Sequence, residues 1–198
     1  NQHDGLPNWD YGKNQVQMIE IYNEVLEEHN AILVDDAVKQ LSWKYDYHSE
    51  PKQPNKHWHV LCGHDFKELT ANGYDWADHI FHAAKSKLNK ELTYERIYCN
   101  AHTHGIEPHL HIDDGEFTMI YYPRLDWHPE WGGGTLIDGQ LVPYVGNSLV
   151  IFDAHLPHMA MPVSRECYEL RSVIVFKCNH NVWAKGLSQG CKSDKRTS

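Results

Sequence analysis

The chain has no Cys-x-x-Cys pair, and its five cysteines, Cys62, Cys99, Cys167, Cys178 and Cys191, are odd in number and widely spaced. That excludes a disulfide framework and a zinc–cysteine site as organising devices, and it fits a reducing, cytoplasmic compartment. No apolar run approaches the roughly 18 to 20 residues needed to cross a bilayer, and the stretch from Asn1 to Lys13 lacks the apolar core of a secretory signal. Basic charge is scarce: 18 Lys and Arg stand against 27 Asp and Glu, a formal net charge of −9. The one basic cluster, Lys192 to Arg196, lies in a polar tail. Nucleic acid is therefore not an expected partner, since neutralising phosphates needs clustered cations, and without an apolar span neither is a membrane. Internal repeats and low-complexity segments are also missing. What remains, 41% hydrophobic and 12% aromatic residues in 198, reads as a soluble domain with a sizeable core. The one excess is histidine, 16 in all, which only spacing can turn into an argument for metal.

The chain is expected to form one domain over residues 1–198, with a mixed helical support at about 14–91, a β-rich core at about 92–178 and a polar tail at 179–198. Met18 to Val25 reads as an opening strand. Val34, Ala37, Val38 and Leu41 recur at the spacing of one buried helical face, and Ala77, Ile80, Phe81, Ala84 and Leu88 form a clearer stripe within Asp75 to Leu88. Ser49 to Lys56, with two prolines, reads as a loop. From Leu92 onward the pattern changes to short strands bounded by Gly, Pro, Asp or Asn: Leu92 to Cys99, His109 to Ile112, Phe117 to Tyr122, Gly134 to Ile137, Gln140 to Val142, Ser148 to Phe152 and Leu170 to Lys177. Asp138-Gly139 marks a hairpin. Such a run of strands indicates a sandwich, barrel or jelly roll braced by the N-terminal helices.

On these strands lie His111-Ile112-Asp113, then His158, then Arg171. Two histidines and one carboxylate are the ligands of a facial triad for non-haem Fe(II), which leaves three coordination positions open. The spacing has a physical reason, because residues i and i+2 of a strand point to the same face and can converge on one ion. A third ligand must then come from another strand, and His158 follows the strand Ser148 to Phe152. Arg171 opens an otherwise apolar strand, where an unpaired charge is costly. It is either a fixed cation for a bound carboxylate or the partner of Glu169 or Glu166.

With these residues the sequence resembles the Fe(II)/2-oxoglutarate-dependent oxygenases, within them the prolyl 4-hydroxylase-like branch, over about Tyr94 to Phe176. The motifs that carry the resemblance are His111-Ile-Asp113, Ile120-Tyr121-Tyr122 with Asp126-Trp127, Gly133-Gly134-Thr135, Pro143-x-x-Gly146-x-x-Leu149-x-Ile151-Phe152, His158-x-x-x-Pro162-Val163 and Arg171. The resemblance implies a double-stranded β-helix, or jelly roll, and iron ligands at His111, Asp113 and His158. It further implies that Arg171, assisted by Tyr122, pairs with the distal carboxylate of 2-oxoglutarate. Fe(II), the co-substrate 2-oxoglutarate, O2 and ascorbate would serve such a dioxygenase, and the substrate it suggests is a peptidyl proline, with a free amino acid or other small metabolite as the alternative. One departure stands out: the gap from His158 to Arg171 is longer than usual in this branch, so Ser164 to Glu169 reads as an insertion, with Arg165 as the fallback anion partner.

A cupin, built on the same topology, competes for these residues. His109, His111 and Glu116, with His158 or His155 as the later ligand, reproduce part of a cupin metal motif, although the glycine expected beyond Glu116 is missing. Of the other histidines, His57 and His59 are expected on a solvated strand face, with the substrate mouth as the alternative, His102 and His104 in the loop before the triad within possible reach of substrate, and His155 in a loop. Trp43, Tyr45, Tyr47 and Trp58 are expected in the core, and Trp127 and Trp131 at the rim of the site.

Overall fold

The computed structural model describes residues 18–49 and 54–181. The expected loop from Ser49 to Lys56 and the polar tail lie partly outside them. The elements run β1 (Ile19–Tyr22), α1 (Glu28–Lys39), β2 (Lys44–Tyr47), β3 (His57–Gly63), α2 (Phe66–Asn72), α3 (Asp75–Leu88), β4 (Leu92–His102), β5 (Phe117–Tyr122), β6 (Thr135–Ile137), β7 (Gln140–Val142), β8 (Ser148–Asp153), β9 (His158–Ala160) and β10 (Arg171–His180). No helix among the described residues is long and apolar enough to cross a membrane.

Two antiparallel sheets face each other. The larger has the order β1-β8-β5-β10-β4-β3-β2 and the smaller β7-β6-β9. A single bridge between His111 and His158 adds one more rung to the smaller sheet beside β9. Counting that rung as a strand position, the core of each sheet has four strands, and the chain crosses between the sheets at every step except the β6–β7 hairpin, which is the jelly roll expected from the sequence. The expected strand His109 to Ile112 is thus reduced to one pair. The Asp138-Gly139 hairpin forms as anticipated, with φ of 46° and 82° at the two turn residues.

The outer face of the large sheet is covered by the helices. Ala31, Val34 and Val38 of α1 and Ala77, Ile80, Phe81, Ala84 and Leu88 of α3 share one apolar cluster with Ile97, Cys99, Met119, Tyr121, Leu149, Ile151, Ile174 and Phe176 of the sheet. Cys62 and Cys99, on neighbouring strands in this layer, are free thiols with Sγ atoms 3.7 Å apart. The inner face holds a second cluster that includes Tyr98, Ile120, Tyr122, Val150, Phe152, Val173 and Val175. Strand alternation sorts residues between the two layers, so odd-numbered positions of β10 point inward and even-numbered ones toward the helices.

The structure adds one element to those expected and moves two pairs of aromatic residues. Helix α2 was not anticipated, although Asp65 caps it by accepting from the Glu68 N–H at 2.8 Å and Gly73 ends it with φ of 78°. Tyr45 and Tyr47 are exposed, because β2 is the edge strand of the large sheet. Trp127 and Trp131 are buried in the inner cluster, edge to face at 5.1 Å, and do not form a rim.

Arg124 fastens the helical layer to the barrel. It is 3% exposed and reaches Asp35 of α1 at 2.9 Å, Glu169 at 3.0 Å, Asp126 at 3.2 Å and the Leu170 carbonyl at 3.3 Å. Asp35 therefore occupies the buried face of α1 as a paired charge. Removing one member of such a group strands the others without a partner. Arg124→Leu is expected to destabilise the fold by about 3 kcal/mol in urea unfolding, whereas Lys39→Ala, which removes only the half-exposed partner of Asp35, should cost less than about 1 kcal/mol.

Candidate functional site

The His111–His158 rung places the centre of the site. The two residues exchange backbone hydrogen bonds, His111 N–H to His158 O at 3.0 Å and His158 N–H to His111 O at 2.8 Å. Directly opposed residues of an antiparallel pair present their side chains on the same face. Two residues on, Asp113 donates its N–H to Ala154 O at 2.8 Å, which holds its carboxylate beside the two imidazoles. One ligand atom from each of His111, Asp113 and His158 lies within 4.8 Å of the others.

The donor set suits a divalent metal ion. In both imidazoles Nδ1 lies 2.8 Å from a backbone carbonyl, that of His109 for His111 and that of Leu156 for His158. Each Nδ1 therefore carries the proton, and each Nε2 lone pair is left for the centre, the arrangement found in metal-binding histidines. His158 Nε2 stands 3.2 Å from Asp113 Oδ2. Two electron pairs so placed call for a cation between them. Thr118 donates to Asp113 Oδ2 at 2.7 Å and Lys177, 1% exposed, pairs with the same oxygen. Burial alone would raise the Asp113 carboxyl pKa, but the group is held well below the ordinary carboxylate range, with the Lys177 ammonium beside it among the causes.

His111, Asp113, Thr118 and His158 line a cleft between the sheets. Arg171 closes another part of its wall. It is 1% exposed, and its guanidinium meets only neutral groups: Gly133 O, Gly134 O at 3.3 Å, Thr135 Oγ1 at 3.4 Å and His102 Nδ1 at 3.5 Å. Glu169, one candidate for its partner, pairs with Arg124 instead, and no carboxylate among the described residues neutralises Arg171. Gly133 is needed beside it, since a Cβ there would stand 3.1 Å from Arg171 Cδ on a backbone with φ of 73°. Tyr122 sits behind this group and donates to Thr135 Oγ1 at 2.7 Å, so its hydroxyl acts on the cleft through Thr135.

The remaining sequence expectations divide. Glu116 faces outward, accepting from the His180 N–H and approaching His180 Nδ1 at 2.9 Å, so it does not join His111 and His158 as the cupin reading requires. Arg165 and His155 are exposed. His57, expected on a solvated face, is instead 5% exposed and lines the cleft with His102 and His109. Burial pushes its imidazole down from 6.5 to about 4, with His59 the next cause. Tyr98, Asn100, Thr118 and Lys177 were not singled out from the sequence. The signal for Lys177 was available, because it lies six residues from Arg171 and so shares its strand face.

No family model matches the chain, and no curated protein matches it in sequence. Solved structures match in fold. The Pseudomonas putida prolyl-4-hydroxylase aligns with a TM-score of 0.56 at 16% identity, over 82% of this chain and 93% of that one. HygX from Streptomyces hygroscopicus, solved with nickel and 2-oxoglutarate, aligns with a TM-score of 0.56 at 10% identity over 83% of each chain. SnoN, a non-heme alpha-ketoglutarate-dependent epimerase from nogalamycin biosynthesis, aligns with a TM-score of 0.57 at 12% identity, over 81% of this chain and 77% of that one. The likeness is one of jelly-roll architecture carried by dissimilar sequences.

The state of His57 yields a pH prediction. Its pKa is about 4 in the folded chain against 6.5 ordinarily. The unfolded chain therefore takes up this proton first as pH falls, and folding stability is lost between those two values. Urea midpoints of the metal-free protein should fall from pH 7 to pH 5, and His57→Gln should flatten that slope while leaving the rest of the pH profile alone.

Proposed function

We propose that this protein is an Fe(II)- and 2-oxoglutarate-dependent oxygenase that hydroxylates an unactivated C–H bond. The observation that carries the reading is the pairing, in one buried cleft, of a His-Asp-His group with an arginine that no carboxylate neutralises. His111, Asp113 and His158 would hold Fe(II) through both Nε2 atoms and the Asp113 carboxylate, leaving three positions for exogenous ligands. An iron so bound, with 2-oxoglutarate and O2, supplies the oxidising power that converts 2-oxoglutarate to succinate and CO2 as the substrate is hydroxylated.

The chain's own residues do the rest. Arg171 gives the distal carboxylate of 2-oxoglutarate a fixed planar cation, and Thr135 adds a hydroxyl that Tyr122 orients. Ile120, Val173 and Val175 form an apolar lining that keeps water from the reacting groups. Thr118 and Lys177 fix the Asp113 carboxylate, so the site is organised before the metal arrives. Ascorbate is the auxiliary reductant the resemblance suggests. A peptidyl proline is the substrate that the motifs and the likeness to the P. putida prolyl-4-hydroxylase support. A second reading, a free amino acid or other small metabolite, is favoured by the histidine-rich wall of the cleft, and HygX, solved with hygromycin B, shares this fold while holding a non-peptide ligand.

Succinate formation from 2-oxoglutarate under Fe(II) tests the class directly. Asp113→Ala should abolish metal-dependent turnover and leave the circular dichroism spectrum of the fold intact. Arg171→Gln should keep iron affinity while raising the 2-oxoglutarate requirement tenfold to hundredfold, the roughly 1.5 to 3 kcal/mol of a hydrogen-bonded charge pair. An unchanged 2-oxoglutarate requirement would remove Arg171 from the co-substrate site.

A further inference from the structure

Two buried nitrogens in the cleft have no assigned work. His57 Nε2 and His109 Nε2 are shielded from solvent and find no hydrogen-bond partner among the described residues. Buried polar groups are satisfied almost without exception, and an orphan in a ligand cleft points to a ligand atom. Both rings line the same cleft as His111, Asp113, His158 and Arg171, yet neither belongs to the His-Asp-His group or contacts Arg171. His57 is held by its neighbours: the rings of Tyr47 and His102 meet it edge-on at 5.3 Å and 5.1 Å. A donor so fixed is suited to recognition.

The charges around it indicate the sign of the group it would meet. Two carboxylates line the cleft. Asp113 is taken by Lys177, whose ammonium also lies 3.9 Å from an exposed Asp114 already bound to Arg96, while Glu107 is exposed at the mouth and the lining Lys56 is paired with Asp46. On the reading proposed above, Fe(II), Arg171 and the Lys177 ammonium carry one positive charge more than Asp113 and dianionic 2-oxoglutarate cancel. A buried excess charge is costly unless paired. A substrate with a carboxylate of its own would both balance it and give the two imidazole N–H groups an acceptor.

We propose that His57 and His109 form a carboxylate subsite, and that the substrate is a small acid, an amino or hydroxy acid class of molecule with a free carboxylate. The proposal rests on the 2-oxoglutarate reading and selects the small-molecule branch of it over a peptidyl proline, whose carboxylate is tied up in an amide. Each imidazole donates from Nε2 to one carboxylate oxygen. The acid is thereby held by its end, with its carbon chain directed along the cleft toward the His-Asp-His group.

The test uses the whole chain labelled with 15N at histidine and loaded with Zn(II) and 2-oxoglutarate, a form that binds without turning over. Acetate is the probe and acetamide its neutral counterpart of the same shape. Acetate is expected to shift the ring resonances of His57 and His109 saturably, and acetamide to do so far more weakly. His57→Phe should weaken acetate at least about tenfold, the loss of one charge-assisted hydrogen bond, while His57→Gln, which keeps a donor, should restore much of it. Equal shifts with acetamide, or equal acetate binding by wild type and His57→Phe, would overturn the subsite. Bound 2-oxoglutarate with no acetate effect would overturn it as well and leave the oxygenase reading standing. Failure of 2-oxoglutarate itself to bind would remove that reading and the subsite together.

Discussion

The period-two alternation of β10 is the constraint on which both layers of the molecule depend. The strand is hydrogen-bonded on either side, to β4 and to β5, so it can neither slide nor twist away. Its even-numbered residues, Ile174, Phe176 and Cys178, sink into the helix-side core, and its odd-numbered ones, Arg171, Val173, Val175 and Lys177, face the cleft. The inward row has a cation at each end and two valines between. Arg171 reaches the Gly133-Gly134-Thr135 turn, Lys177 reaches Asp113, and the two valines line the wall between them. One strand thus sets the separation between the His-Asp-His end and the Arg171 end of the cleft.

Both charges come at a cost that the fold meets differently at each end. Lys177 is compensated within the chain, by Asp113 and by the Thr118 hydroxyl at 3.5 Å. Arg171 is met by the Gly133 and Gly134 carbonyls, the Thr135 hydroxyl and His102 Nδ1, which solvate a guanidinium without neutralising it. Charge left unmatched in the interior at one point, and matched at another, distinguishes a place kept for a ligand from a place already complete. The same contrast separates Arg124, ringed by Asp35, Asp126 and Glu169, from Arg171, although both are almost wholly buried.

Much of this was legible in the sequence, for identifiable reasons. The α3 stripe and the Asp138-Gly139 turn are local signals, and each formed where expected. His111, Asp113 and His158 could be put together because a two-residue step within a strand and a distant third ligand leave few other geometries. What escaped depends on pairing between distant segments. The sequence leaves His57 between a solvated face and the substrate mouth, because nothing nearby shows that β3 lies beside β4, which buries its inward face. Trp127 and Trp131 were assigned to the rim because proximity to a glycine turn does not reveal that the chain folds back beneath Arg171. The strand expected at His109 to Ile112 shrank to one rung, because His109 and Leu110 find no partner strand and only His111 meets β9.

The two segments on either side of Glu169 should have had different evolutionary histories. A single-residue insertion within β10 that no bulge absorbs would exchange the faces of the residues on one side of it, carrying either Arg171 into the helix-side core or Ile174 into the cleft, so length in the Arg171 to Lys177 stretch is constrained even where side-chain identity can drift. Ser164 to Cys167 is a turn closed by its own backbone, with Cys167 N–H on Ser164 O at 3.1 Å, and nothing downstream depends on how many residues it contains as long as Glu169 still reaches Arg124. Related chains are therefore expected to differ in length before Glu169 and to agree in length after it, which makes Glu169 the natural origin from which to align distant sequences onto this one.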